Sequence, residues 1–105
     1  MKVGIIRCQQ TEDLCPGTGD FAAVEKKSGA FETLGDCTIV GFVSCGGCPG
    51  SKAIARAQTL MDRGAQAIAL ATCITKGNPN GFPCPNRDSI LQALRKKCKE
   101  VPVLE

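Results

Sequence analysis

The 105-residue sequence contains no histidine, no tryptophan and no tyrosine. Without an imidazole there is no Cys–His dyad to generate a nucleophile and no mixed Cys/His zinc site, so any metal held by side chains must rest mainly on thiolates. Aromatic residues are reduced to four phenylalanines, which leaves little on which nucleic-acid bases could stack. Charge of one sign is scarce as well: the net charge is +3, with acids and bases interleaved. The one basic cluster, RKKCK at 95–99, falls in the last turn of an expected helix, where cations complement the macrodipole. These absences argue against a nucleic-acid partner. Long apolar runs are also missing, and the opening MKVGIIRC closes its short run at Arg7, too early for a signal-peptide core or a membrane span. A cytoplasmic chain with no membrane association is the expectation.

What the sequence has instead is eight cysteines and twelve glycines. A chain of this length suits one domain, residues 1–105, with a core that needs no cross-links. Disulfide scaffolds belong to secreted chains poor in core, whereas hydrophobic residues here make up 43%. Metal ligation or thiol redox chemistry is therefore the better account of the cysteines.

Four short apolar runs, KVGIIR, TIVGFVS, AIALAT and VPVLE, read as buried parallel strands, which need not alternate polar and apolar residues. Helical patterns lie between them. After CGGCPG, the residues Ala53, Ile54, Ala57, Leu60 and Met61 recur at helical spacing, with Pro49 suited to the first turn and Gly64 to the stop. Asn86 is placed to cap a helix whose stripe is Ile90, Leu91, Leu94 and Cys98. A weaker helix spans Asp20 to Ser28 and ends at Gly29. The rhythm βαβαβαβ predicts an α/β fold: a single three-layer doubly wound domain, Rossmann-like or flavodoxin-like. Its four-stranded, mostly parallel sheet has the first strand central, in the order 2-1-3-4.

On this scaffold Cys8 follows the first strand, Cys45 and Cys48 the second, and Cys73 the third. In a parallel sheet these ends share the carboxyl edge, where neighbouring strands are about 4.8 Å apart. Cys15 and Cys84 lie in the long loops that start there. Cys8, Cys15, Cys45, Cys48, Cys73 and Cys84 are thus candidate ligands of one metal site. Cys37 stands eight residues before Cys45, roughly 26 Å away at strand rise. Cys98, fourteen residues after Cys84, is roughly 20 Å away along a helix. Both read as small buried hydrophobes.

In CGGCPG the glycines admit unusual backbone angles and bring N–H groups close to an anion. Placement at a helix N-terminus favours thiolate. A metal site and a redox dithiol profit equally. In the redox case Cys45 is expected to be the exposed attacking thiolate and Cys48 the resolving thiol. The segment GCPGSKA is no Walker A loop, because Gly50 is followed by Ser51 and Lys52 by Ala53. Nor is a phosphatase loop present, since the residues six after Cys8, Cys45 and Cys73 are Leu14, Ser51 and Pro79 rather than arginine. Thr72, Thr75 and Lys76 flank Cys73 and read either as ligand-positioning groups or as ordinary loop polar residues.

CGGCPG between TIVGFVS and an alanine-rich helix, followed by IALATC and PCP, resembles the CGGC domain family, small prokaryotic proteins regarded as metal-binding domains. The likeness runs from Cys8 to the last strand. It implies metal binding through Cys8, Cys45, Cys48, Cys73 and Cys84, with Cys15 as a further ligand, and implies no particular reaction. Two functions stay open on the residues. In one, four thiolates hold zinc or an iron–sulfur cluster. The surplus thiols favour a cluster or a transferable metal, with a redox or metal-delivery protein as partner. The alternative is a thiol–disulfide oxidoreductase using Cys45 and Cys48. Whether the chain is an enzyme is left open.

Overall fold

The first apolar run becomes the centre of the sheet. In the computed structural model, which describes residues 1–11, 16–32, 34–77, 81 and 84–105, β1 (Lys2–Arg7) lies between β2 (Thr38–Ser44) and β3 (Ala67–Leu70). β4 (Val103–Leu104) borders β3, giving the order β2-β1-β3-β4 with every pairing parallel. This is the expected α/β arrangement and order, and the sheet is wholly rather than mostly parallel. Val3, Ile5 and Ile6 are at most 1% exposed, as a strand covered on both faces requires. The amino edge is tied by the terminal amine of Met1, which donates to Asp36 O at 2.7 Å, and by Thr38 N–H, which donates to Met1 O at 2.9 Å.

Two strands are shorter than their apolar runs. The third stops at Leu70, and Thr72–Thr75 winds into a one-turn helix, α3, whose Ile74 and Thr75 N–H groups donate back to Ala71 O. The last pairs only over Val103–Leu104, although Pro102, which has no N–H to offer, still accepts from Ile68 N–H at 3.0 Å. The other helices are α1 (Thr18–Lys26), α2 (Lys52–Asp62) and α4 (Arg87–Lys97), labelled in chain order around α3. α1 starts two residues before Asp20 and ends at Lys26, capped by Lys27 rather than Gly29. Lys27 takes the left-handed conformation (φ 55°), with its N–H on Val24 O, and its ammonium pairs with Asp36 at 2.6 Å. α2 ends as expected, Gly64 at φ 105° letting Ala65 N–H return to Leu60 O at 3.0 Å. Asn86 occupies the cap position of α4 without a side-chain cap bond; its carbonyl accepts from Ile90 N–H.

α2 approaches the sheet closely at Leu60. Gly4 of β1 and Gly41 of β2 are register partners, and a Cβ on either would run into Leu60, at 2.8 Å from its Cδ1 in the case of Gly4. Two facing glycines thus form the depression that seats α2. Phe42, the next residue of β2, belongs to the opposite face. There it meets Phe21 of α1, ring centroids 5.3 Å apart. α4 packs against α2 and β4 through Ile90, Leu91 and Leu94.

The depression has a measurable consequence. Leu60 is 4% exposed and cannot swing out of the way, so Gly4→Ala costs about 1–3 kcal/mol of stability by overpacking. Urea denaturation of the variant checks this, and a change below about 0.5 kcal/mol would mean that α2 is not seated on these glycines.

Candidate metal and thiol site

The site is built from strand ends. Cys45 continues the sheet one residue past β2, its N–H donating to Arg7 O at 2.7 Å. Cys8 leaves β1 beside it, and its N–H donates to Cys73 Sγ at 3.1 Å. Cys73 is the second residue of α3, so the early end of β3 places this thiol on a helical turn rather than in the expected loop. Cys84 returns to the same place because its N–H donates to Ile74 O at 3.0 Å, while Asn86 N–H approaches Cys84 Sγ at 3.4 Å. Burial pushes the Cys84 thiol pKa up, the Asn86 N–H opposes this, and negative charge on Cys8, Cys48 or Cys45 pushes it up further. The structure therefore brings Cys8, Cys45, Cys48, Cys73 and Cys84 to one edge. Among the described residues, no three of His, Cys, Asp or Glu stand close enough together to hold a metal ion as they are. Cys15 lies outside the described residues.

The two cysteines set aside in the sequence lie elsewhere. Cys37 sits at the amino edge, half-buried, with Sγ 3.7 Å from Gly35 O, and so is less enclosed than expected. Cys98 ends α4 and is 2% exposed.

The CGGC turn departs from expectation in two respects. α2 begins only at Lys52, so the motif occupies the loop before the helix rather than its first turn, and Pro49, joined to Cys48 by a cis peptide bond, precedes the helix. The expected exposures are also reversed: Cys45 is 5% exposed and Cys48 is exposed. The physical reason is that Cys45 extends a sheet strand while Cys48 rides on the outward turn. Gly46 makes that turn at φ 81°, and a Cβ there would lie 2.6 Å from Lys52 Cβ, so both conformation and space require glycine.

Sequence reasoning overlooked the groups that hold this loop. Arg56 of α2 donates to Ser44 Oγ at 2.8 Å and to Ser44 O at 3.1 Å, and Gly46 N–H approaches the same hydroxyl at 3.3 Å. Nothing in residue spacing links Ser44 to Arg56, because the contact depends on where Leu60 seats the helix. Arg7 is 6% exposed, with its guanidinium 5.7 Å from the Phe42 ring centroid. Nearby Asp20 has its carboxyl pKa raised by burial, partly offset by the Arg7 charge. Of the polar residues around Cys73, Thr72 and Lys76 are exposed and Thr75 half-buried.

A small parallel α/β sheet whose carboxyl edge carries cysteines from three successive strands defines a class of thiol-edged α/β proteins. Within it, the chain belongs to the CGGC domain family, whose model matches residues 2–105. It is similar to the uncharacterized protein MJ0582 of Methanocaldococcus jannaschii, 40% identical over 112 aligned positions that cover 99% of this chain and 84% of that protein. No solved structure matches it. No described helix is long and apolar enough to cross a membrane.

Two outcomes follow from exposure and acidity. In the reduced protein a charged alkylating reagent labels Cys48 at least about tenfold faster than Cys45, since reaction needs an accessible thiolate. Mass-spectrometric mapping of partial labelling reads the ratio, and equal rates would refute the split within the turn. The second concerns Cys98, whose thiol pKa burial raises despite the opposing charge of Lys97. Above the ordinary thiol range the unfolded chain ionises this thiol while the folded chain still holds its proton. The unfolded state then binds fewer protons, and stability falls as pH rises. Cys98→Ala removes that dependence, so its stability deficit relative to the parent shrinks between about pH 7.5 and about pH 10 in urea titrations. A deficit that grows would contradict the sign.

Proposed function

We propose that this chain is a cysteine-rich metal-binding protein whose thiolate ligands come from Cys8, Cys45, Cys48, Cys73 and Cys84, with Cys15 as a further ligand, and whose cargo is zinc or an iron–sulfur cluster. The observation that carries this reading is the gathering of five thiols at one carboxyl edge of a histidine-free chain. That donor set fits a thiophilic metal, which prefers soft sulfur ligands. A metal also supplies the positive charge that lets crowded thiols, Cys84 foremost, lose their protons together. Because no three described donors stand at holding distance, uptake requires the edge loops to close, and binding tightens them. Thiols in excess of four offer exchange ligands, which suits transfer of the metal to a partner protein through the exposed Cys48.

One observation favours a second reading. The exposed Cys48 and the buried Cys45 form an asymmetric pair, suited to thiol–disulfide exchange with Cys48 rather than Cys45 as the attacking group. Cys48 thiolate would attack a partner disulfide and expel one thiolate. Cys45 thiolate would then displace the second, leaving a Cys45–Cys48 disulfide and a reduced partner, with an external dithiol restoring the pair.

Metal and acid-labile sulfide per folded chain, measured after preparation without oxygen, separate the two. Cys45→Ser and Cys48→Ser are expected to abolish metal retention, Cys73→Ser, Cys84→Ser and Cys8→Ser to lower it strongly. Cys37→Ser and Cys98→Ser are expected to leave it intact, with stability changes of about 1 kcal/mol. Metal lost in Cys37→Ser or Cys98→Ser but kept in Cys45→Ser would overturn the proposed ligand set. A parent that holds no metal and cycles between dithiol and disulfide would support the redox reading.

A further inference from the structure

On the face of the sheet that carries α1, beside the thiol edge, lies a cavity of about 160 Å³. It exists because small residues meet there: Ala69 of β3, which pairs with Ile5 of β1, faces Ala23 and Gly19 of α1. Ile5 and Phe31 complete an apolar floor. Asp20, Thr72, Lys76 and Glu105 also line it, and the exposure of Thr72 and Lys76 puts them at its mouth.

The charges around this space are unequally engaged. Glu105 is held by Arg87 at 2.6 Å. The Asp20 carboxyl feels the charge of Arg7, but neither it nor the Lys76 ammonium makes a hydrogen bond or salt bridge among the described residues. Asp20 is half-buried against apolar wall and pays a desolvation penalty that an ammonium on a ligand would relieve. Lys76 and the Thr72 hydroxyl offer a carboxylate the complementary donors. An apolar cavity of about 150 Å³ accommodates a six-carbon ring, whereas drug-sized and nucleotide-sized ligands need about 300 Å³ or more. The occupant is therefore small, and a lining that holds both a carboxylate and an ammonium suits one that carries an ammonium and a carboxylate on a short hydrocarbon.

We propose that this cavity binds a zwitterionic α-amino acid with a branched apolar side chain, its ammonium on Asp20, its carboxylate on Lys76 and Thr72, and its side chain on Ile5, Phe31 and Ala69. The site is separate from the thiol ligand set and does not rest on the metal reading.

Titration of the reduced full chain, followed by amide NMR and calorimetry, tests this with three probes. They are L-leucine, 4-methylpentanoate, which lacks the ammonium, and 3-methylbutylamine, which lacks the carboxylate. L-Leucine is expected to saturate, to shift the amides of Ile5, Ala69 and Thr72, and to bind at least about tenfold more tightly than either truncated probe. Asp20→Asn should weaken L-leucine about tenfold and leave 4-methylpentanoate unchanged. Lys76→Gln should weaken L-leucine and leave 3-methylbutylamine unchanged. Lys76 is exposed and Asp20 half-buried, and amide spectra report directly whether each variant is folded. Absence of saturable shifts at Ile5 and Ala69, equal binding of all three probes, or full L-leucine affinity in folded Asp20→Asn would each overturn the proposal.

Discussion

The position of one leucine governs how the edge of this sheet is assembled. Leu60 sits where a Cβ on Gly4 or Gly41 would have to be, so α2 approaches β1 and β2 more closely than side chains would otherwise permit. One helical turn earlier, Arg56 is thereby held over the end of β2, where its guanidinium reaches Ser44. Ser44 in turn accepts from Gly46 N–H, which fixes the start of the CGGC turn. A steric fit in the middle of the sheet is thus transmitted as a hydrogen-bond anchor to its reactive rim. The rim is unevenly packed: Cys45 and Cys73 belong to the buried core, Cys8 and Cys84 are half-buried against it, and Cys48 is exposed.

Electrostatics at the rim point in one direction. Thiols brought together cannot all ionise without a compensating charge, and Cys84 records this in a pKa raised by burial and by its cysteine neighbours. The nearby cations do not abolish the penalty. Arg56 is committed to Ser44, and Arg7 lies over the Phe42 ring on the α1 face. In the proposed readings this crowding is relieved from outside the chain, either by a thiophilic metal or by an oxidised partner that takes two electrons as two sulfurs join covalently.

The sheet order and the assignment of cysteines to edges were legible in the sequence because they depend on apolar runs and on counting residues between them. KVGIIR can only be a buried strand, and whatever follows Arg7, Ser44 and the AIAL strand must emerge on one side. Cys98 was likewise readable from its place on an apolar helical stripe. Features set by backbone detail were not. Pro49 suggested the start of α2, yet the glycines at 46, 47 and 50 all adopt positive φ and delay the helix to Lys52. The same detail inverted the expected exposure of Cys45 and Cys48. AIALAT read as one strand, although Ala71 and Thr72 turn the chain into α3. Lys76 was readable only as a polar neighbour of Cys73, and Asp20 only as the start of a helix, since the cavity that both line is left open by the small residues of β3 and α1.

Two of the proposed thiols, Cys8 and Cys73, and the proposed amino-acid cavity lie at the same two strands, β1 and β3, for a topological reason. From β1 the chain crosses to β2 on one side, and after β2 it crosses back over β1 to β3 on the other. The connections leaving β1 and β3 therefore diverge, and an open α/β sheet has its natural crevice at that switch point. The Cys8 N–H to Cys73 Sγ bond spans this gap at the carboxyl edge. Ile5 and Ala69, register partners on the same two strands, floor the cavity three residues before Cys8 and four before Cys73. α3 joins the two regions, because Thr72 and Lys76 line the cavity while Cys73, between them in sequence, accepts from Cys8. Anything that shifts this single turn moves a thiol and a cavity wall together. A helix held by so few backbone bonds has little stability of its own to resist such a shift.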